Sequence, residues 1–311
     1  FNAGTRLTYT GLRAKWNESA SINAQLSNVK LNSSALTTTL SMTLRPSKKF
    51  QVMTVLSSGF RNPNIDDIGK IRENNGILVV PNTFLKPEYA YNLDMGINFK
   101  SLNNLNHVSF RTFATVISRH IVRDDFIIFS DTTTADESTI LYNGEEVSTI
   151  ANKNLGNRFI HGFSIDGFSY FSKSLKLTGS ISYVKGDENE TYGPMPSISP
   201  IFGTISGEYS KNKFKVSALY KFSGDKSPGD YSLGGEDGLE ETPEIIESNG
   251  LIKYAGAPKW SDFSIYTNYD ISQDVKVRLA LTNIFDNHYR SFASGISAPG
   301  RSFQIGLYLK L

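Results

Sequence analysis

The chain of 311 residues contains no cysteine, so neither disulfides nor thiolate metal sites are open to it. No stretch approaches the ~18 consecutive apolar residues that a membrane-spanning helix needs. Charge has no dominant sign: 32 basic residues stand against 30 acidic ones, and the basic residues form no dense block. That balance argues against nucleic acid as a partner. Glycine-rich phosphate loops, dinucleotide fingerprints and G-x-S-x-G nucleophile elbows are missing too. The first residues, FNAGTRLTYT, lack the apolar core and cleavage site of a signal peptide and read as the inside of a strand, so either a mature form or, in preference, a fragment of a longer chain is expected.

What the chain does have is alternation. At 89–99, Tyr89, Tyr91, Leu93, Met95, Ile97 and Phe99 fall on one face, and Ala90, Asn92, Asp94, Gly96 and Asn98 on the other. The last segment repeats this, with Phe303, Ile305, Leu307, Leu309 and Leu311 opposite Ser302, Gln304, Gly306, Tyr308 and Lys310. A side-chain period of two is the mark of a strand with one apolar face. The same reading holds near 36–45, 159–171, 175–184, 201–209, 214–222, 263–271 and 275–285, and less cleanly near 5–16, 50–60 and 107–128. Together these make about twelve strands. No segment keeps a helical apolar stripe over three turns.

The connections alternate in length. Short polar turns fall at 46–49, 101–106, 172–174, 210–213 and 272–274. Long connections fall at 17–34, 61–86, 129–155, 188–199, 224–258 and 286–300. An antiparallel sheet in which every second link is tight has its turns at one end and its loops at the other. Outer-membrane β-barrels are laid out this way, with short periplasmic turns and long extracellular loops. Aromatics near the turns, among them Phe99, Phe110, Phe171, Phe214 and Phe222, suit the girdle at a headgroup interface. A soluble β-sandwich is the competing architecture, but Greek-key sandwiches do not order their loop lengths in this manner. A solenoid needs an internal repeat, and none is present.

Two segments then resemble a known family. SSGFRNPNIDD at 57–67 and VPNTFLKPEYAYNLDMG at 80–96 resemble the paired boxes of TonB-dependent outer-membrane receptors. Phe60, Arg61 and Pro63 match the first box, with Asn62 in place of alanine. Pro81, Asn82, Leu85, Lys86, Pro87 and Glu88 match the second. NKNLGNRFIHGFSID (152–166), LTNIFDNHYR (281–290) and the closing SGISAPGRSFQIGLYLKL (294–311) resemble further family segments, although Ser164 stands where glutamate is usual and Leu311 where an aromatic is usual. The general character resembles receptors of the Bacteroidetes type, not the glycan importers that pair with a surface lipoprotein. The resemblance implies an all-β transmembrane barrel of roughly 22 strands around an N-terminal plug. On that basis residues 1–311 are the C-terminal part of the barrel, with the plug and first strands absent. It also implies TonB-dependent uptake across the cell outer membrane, with outer-membrane lipid around the barrel and the TonB complex acting through the absent plug. The cargo is a scarce small-molecule nutrient complex. An iron complex (siderophore- or haem-type) ranks first and cobalamin second. No resident cofactor and no enzymatic activity are implied.

Residue by residue, the boxes read two ways. Pro63 and Pro81 cannot donate to a ladder and mark where pairing stops. Arg61 and Glu88 are placed to pair at the barrel mouth. On the first reading the box residues fix the rim and the loop path; on the second they touch ligand. Elsewhere His120, Asp124 and Asp125 invite a metal or acid–base reading. Yet residues 120 and 124 on one strand face lie about 13 Å apart, too far for one metal. His161 falls on the face of Phe159 and Phe163. The interval between the boxes contains no histidine, which counts against haem. The acidic 225–247 loop lacks calcium-loop spacing and reads as a solvated, mobile loop. Two other functions compete with uptake: a self-contained twelve-strand autotransporter translocator, which lacks a pore helix, and a membrane hydrolase, which would depend on His120 with Asp124 and Asp125.

Overall fold

The computed structural model describes residues 1–15, 29–74, 76–127, 139–189, 193–232 and 237–310. Its principal element is a sheet of twelve strands. They are β1 (Asn2–Ala14), β2 (Val29–Leu44), β3 (Phe50–Arg61), β4 (Glu88–Lys100), β5 (Asn106–Ser118), β6 (Arg158–Tyr170), β7 (Leu175–Gly186), β8 (Phe202–Lys211), β9 (Phe214–Ser223), β10 (Trp260–Asp270), β11 (Val275–Thr282) and β12 (Ser302–Leu309). Their order in the sheet is their order in the chain. The sheet is therefore an antiparallel meander, and the alternation of short and long links seen in the sequence is present in it. Backbone contacts divide the chain into two compact units. The first comprises Phe1–Ser41, Val55–Leu93 and Thr115–Phe159; the second comprises Met42–Thr54, Asp94–Ala114 and Ile160–Leu311.

In the second unit the five short turns use two devices. Three are closed by a serine whose hydroxyl accepts from the amides two and three residues on. Ser47 accepts from Lys49 and Phe50 at 3.2 and 3.3 Å, Ser172 from Ser174 and Leu175 at 3.1 and 3.0 Å, and Ser272 from Asp274 and Val275 at 3.3 and 3.1 Å. A short polar side chain thereby satisfies the amides that the ladder leaves behind. The other two turns place an asparagine in the left-handed region, Asn104 at φ 59° and Asn212 at φ 52°. Asparagine tolerates that conformation better than other residues with a Cβ.

The strands that these turns join have a greasy outer face. On β12, Phe303, Ile305, Leu307 and Leu309 are 63%, 67%, 61% and 62% exposed. On β4 of the same unit, Met95 and Ile97 are also exposed. Water-soluble chains rarely leave contiguous apolar patches beyond a few hundred Å² uncovered, so this face calls for lipid. The opposite face carries ion pairs between neighbouring strands: Glu208 with Lys215 at 2.8 Å and Asp270 with Lys276 at 3.2 Å.

The first unit contains what the alternation conceals. β1 and β2 pair in register from Asn2↔Ser41 to Ala14↔Val29. Beyond β3, the 62–87 connection forms a five-residue helix α1 (Ile65–Gly69) and two three-residue strands, Arg72–Asn74 and Ile77–Val79. Ile77–Val79 pairs in parallel with Glu145–Asn154 of the next long connection, Ser148 opposite Ile77. Ile121–Asp125 flanks the other side of Glu145–Asn154, and Thr139–Tyr142 also pairs with it. The result is a second sheet of five strands with its own apolar centre of Leu78, Val80, Val147 and Ala151, all nearly inaccessible. The strand expected at 107–128 is thus two. Arg119 breaks it at φ 58°, and Ile121–Asp125 leaves the large sheet for the small one.

Candidate ligand-binding face

The box residues belong to the first unit. Phe60 is the penultimate residue of β3 and packs against Tyr89, ring centroids 6.3 Å apart. Arg61 Nη2 donates to both carboxylate oxygens of Asp67, at 2.7 and 2.8 Å. The expected pairing of Arg61 with Glu88 is not formed. Glu88 Oε2 instead accepts from the backbone amide of Ile121 at 2.7 Å, because the break at Arg119 delivers that amide to it. Asp67 has a second task. With Asn64 it forms a reciprocal cap on α1: Asp67 N donates to Asn64 Oδ1 at 2.8 Å, and Asn64 N donates to Asp67 Oδ2 at 2.9 Å. Such a box satisfies amides that a helix start leaves unpaired. The cap seats Ile68, fully buried, beside Leu85 and Ala14.

The second box is tied into the small sheet. Pro63, Pro81 and Leu85 are buried, and Pro87 is half-buried. Asn82 Nδ2 donates to the carbonyl of Asn152 at 2.8 Å. Asn154 clamps Lys86 by its backbone: Lys86 N donates to Asn154 Oδ1 at 2.7 Å, and Asn154 Nδ2 donates to the carbonyls of Lys86 and Arg119 at 2.9 and 2.8 Å. The Lys86 side chain reaches into solvent, as does that of Phe84, which is 83% exposed. Asn152 and Asn154 lie in the NKNLGN segment, so that segment and the two boxes are parts of one hydrogen-bonded construction. The His120 reading changes as well. His120 is buried, and Asp124 pairs with Lys153 at 3.1 Å. Among the described residues no three of His, Cys, Asp and Glu are grouped to hold a metal.

A cavity of about 550 Å³ lies in the second unit, between the 224–259 and 283–301 connections. Its wall includes Tyr231, Glu241, Pro258, His288, Tyr289 and Phe292. The described part of the 225–247 loop, read from sequence as mobile and solvated, is folded. It has 3-10 turns at Pro228–Asp230 and Leu239–Glu241, and a hairpin pairs Glu244–Ile246 with Ile252–Tyr254. Lys226 anchors it. The Lys226 ammonium donates to the carbonyl of Ile198 at 2.7 Å and to Asp237 Oδ2 at 3.2 Å, and sits 4.2 and 5.0 Å from the ring centres of Phe292 and Tyr231. Asp237 Oδ1 accepts from Ser197 N at 2.7 Å. Cation, carboxylate and two aromatic faces thus join three long connections.

The opposite wall is made by the LTNIFDNHYR segment. Asn283, at φ 46°, donates through Nδ2 to the carbonyls of Asn287 and Pro299 and accepts from Asn287 N. The Asp286 carboxylate accepts from Arg301 N at 2.7 Å. Tyr289 stacks on Trp260 with centroids 4.2 Å apart and donates to Asp262 Oδ2 at 3.0 Å. Burial, then the Asp262 hydrogen bond and charge, push the Tyr289 phenol up to about 12. Burial and the Asp237 charge raise Tyr231 too, against a backbone hydrogen bond from Ala257 that lowers it. His288 and Arg290 both reach Ser297 Oγ, at 3.0 and 3.2 Å, and Arg290 Nη1 donates to the carbonyl of Glu241 at 2.7 Å.

The family model for TonB dependent receptor-like β-barrels matches residues 1–284. The chain belongs to that family. Among solved structures, the TonB-dependent receptor-like chain is similar to the copper transporter OprC, with a TM-score of 0.73 at 14% identity over 99% of this chain and 44% of that one. It is similar to the siderophore receptor PirA from Acinetobacter baumannii, with a TM-score of 0.67 at 19% identity over 91% of this chain and 42% of that one. Similarity to the ferric-catecholate import receptor Fiu from K12 E. coli gives 0.64 at 14% identity, over 99% and 42% of the two chains. At these identities the likeness shows the fold. The chain spans less than half the length of each of these structures. A search of curated proteins found no match.

Proposed function

We propose that this chain is the C-terminal part of an outer-membrane receptor barrel that takes up a scarce nutrient complex. Energy enters from TonB through a plug domain carried elsewhere in the protein. Cargo is an iron complex of siderophore or haem type, with cobalamin second. Family membership carries the reading, and the folded loop cavity of about 550 Å³ supports it, since a drug-sized ligand fits such a volume. The similar structures named above, a copper transporter, a siderophore receptor and a ferric-catecholate import receptor, fit a metal-complex cargo. The two-box construction serves as a rigid rim, with the exposed Arg61, Phe84 and Lys86 side chains open to a ligand.

The test is growth. A strain lacking the full-length gene is supplied with one siderophore, haem or cobalamin as sole source, beside a strain lacking TonB. Loss of growth on one source in both strains, restored by the gene, supports the proposal and names the cargo. Unimpaired growth of the deletion strain on every source, with unchanged uptake of labelled complexes, would falsify it.

A further inference from the structure

Three of the five short turns of the second unit are basic, in contrast to its long 224–259 connection. The first turn carries Arg45, Lys48 and Lys49, the third Lys173, and the fourth Lys211 and Lys213; all are exposed. Lys100 and Lys310 extend the series at strand ends. Among the described residues of these turns, acid is confined to Asp274. The long 224–259 connection of the same unit is acidic, with Asp225, Asp230, Glu236, Asp237, Glu240, Glu241, Glu244 and Glu247 against Lys226, Lys253 and Lys259. Near the turns, Glu208 and Asp270 are neutralised by Lys215 and Lys276 on the polar face. The turn cations are left with little local counter-charge.

Beside these cations lies an apolar belt. Leu44, Phe171, Tyr209, Phe214 and Tyr269 are exposed within a residue or two of the turns, and Phe50 packs on Phe99 with centroids 5.2 Å apart. Rings of this kind settle at the level of lipid headgroups. Lysine and arginine stems lie along apolar surface while the charged tips reach past it. The belt therefore sets the depth, and the cations fall at phosphate level.

We propose that the short turns form a basic collar that recruits anionic phospholipid in the leaflet on their side of the membrane. The collar takes phosphate-bearing headgroups with net negative charge and has no preference for zwitterionic ones. This rests on membrane placement of the chain and not on any cargo. Its failure would leave the uptake proposal standing, because growth on a sole nutrient source reads that separately.

The test uses the full-length receptor in nanodiscs of phosphatidylcholine mixed with phosphatidylglycerol. Lipid that stays bound is counted by native mass spectrometry. Phosphatidylglycerol should be enriched about fivefold or more at low salt, the factor that one lysine near an anionic surface supplies. The enrichment should fall as salt rises, since exposed charges are screened. A variant with Lys48, Lys49, Lys173, Lys211 and Lys213 changed to Gln should retain the two lipids alike. Changing Lys185 and Lys253 to Gln, on the long-connection side, should leave the enrichment intact. Soluble glycerol phosphate in excess should not displace the lipid; displacement would assign the site to free phosphate. Equal retention by the wild-type protein, or a salt-independent preference, overturns the collar even if the five-fold variant fails to assemble. A partner protein held by the same cations would appear as a preference for anionic protein with no lipid enrichment, which also overturns it.

Discussion

Lys226 and Asp237 meet 3.2 Å apart with only 5% and 2% of their side chains exposed, in loops that sequence alone would leave in water. The ammonium also donates to Ile198 and lies against Tyr231 and Phe292. Removing one partner strands the other charge in the interior, which costs about 3–5 kcal/mol. Lys226→Met and Asp237→Leu should therefore each release the 224–259 loop, read as faster amide exchange there in the full-length receptor. The double variant should recover much of the loss, because two apolar groups no longer need each other. Additive losses would show that the pair is not coupled.

Much of this chain is legible in its sequence, and the illegible parts have a common cause. β4 and β12 announce themselves by period two, and the turn at 172–174 by a serine with a lysine. Lys226 does not announce itself. It stands in DKSPGD, a run that reads as solvated, and its burial depends on residues 197–198 and 292 from other connections. The break after Ser118 is hidden for a related reason: IVRDD keeps the alternation of a strand while changing sheets. The parallel pairing of Ile77–Val79 with Ser148–Ile150 joins segments about 70 residues apart, and no local periodicity encodes it. Asn152 and Asn154 were visible as a family segment, but their partners were not.

Arg61 and Asp67 should prove unequal. Arg61 is 45% exposed although Asp67 is only 9% exposed, and an ion pair open to water on its cation side contributes about 1 kcal/mol. Asp67 also caps α1 and accepts from Asn152 Nδ2 at 3.3 Å. Losing a cap costs about 1 kcal/mol by itself. Arg61→Gln should leave proteolysis of the 62–87 connection nearly unchanged, while Asp67→Ala should speed cleavage there several-fold. Equal sensitivity would mean that Arg61 does more than hold Asp67.

Tyr289 supplies a pH signature. Its phenol lies near 12 when folded, against an ordinary value of 10, because burial and Asp262 favour the protonated form. The raised value means that the hydrogen bond contributes fully below pH 10 and is lost as pH rises from 10 through 12. In a tyrosinate absorbance titration, Tyr289→Phe should remove one late-titrating phenol. Asp262→Asn should move that phenol part of the way down toward 10, since the negative charge is lost while burial and a neutral acceptor oxygen remain. If Tyr289→Phe removed a phenol titrating near 10 and Asp262→Asn moved nothing, Tyr289 would lie in water instead.

Asn154 is the position where side-chain chemistry is most tightly specified. Its oxygen accepts from Lys86 N, and its nitrogen donates to the carbonyls of Lys86 and Arg119. Both functions are needed at one side chain of that length. Aspartate keeps the acceptor but turns both donated bonds into oxygen facing oxygen. Leaving a carbonyl without its donor costs about 1–3 kcal/mol where water cannot replace it. Alanine loses all three bonds but sets no charge against the carbonyls. Asn154→Asp should accordingly loosen the second box at least as much as Asn154→Ala, although it is the smaller change in shape. Amide exchange at Lys86 and protease cleavage between Asn82 and Glu88 would measure this. If Asp protects the box as well as Asn does, the clamp depends on its acceptor alone, and the two donated bonds contribute nothing to holding the rim.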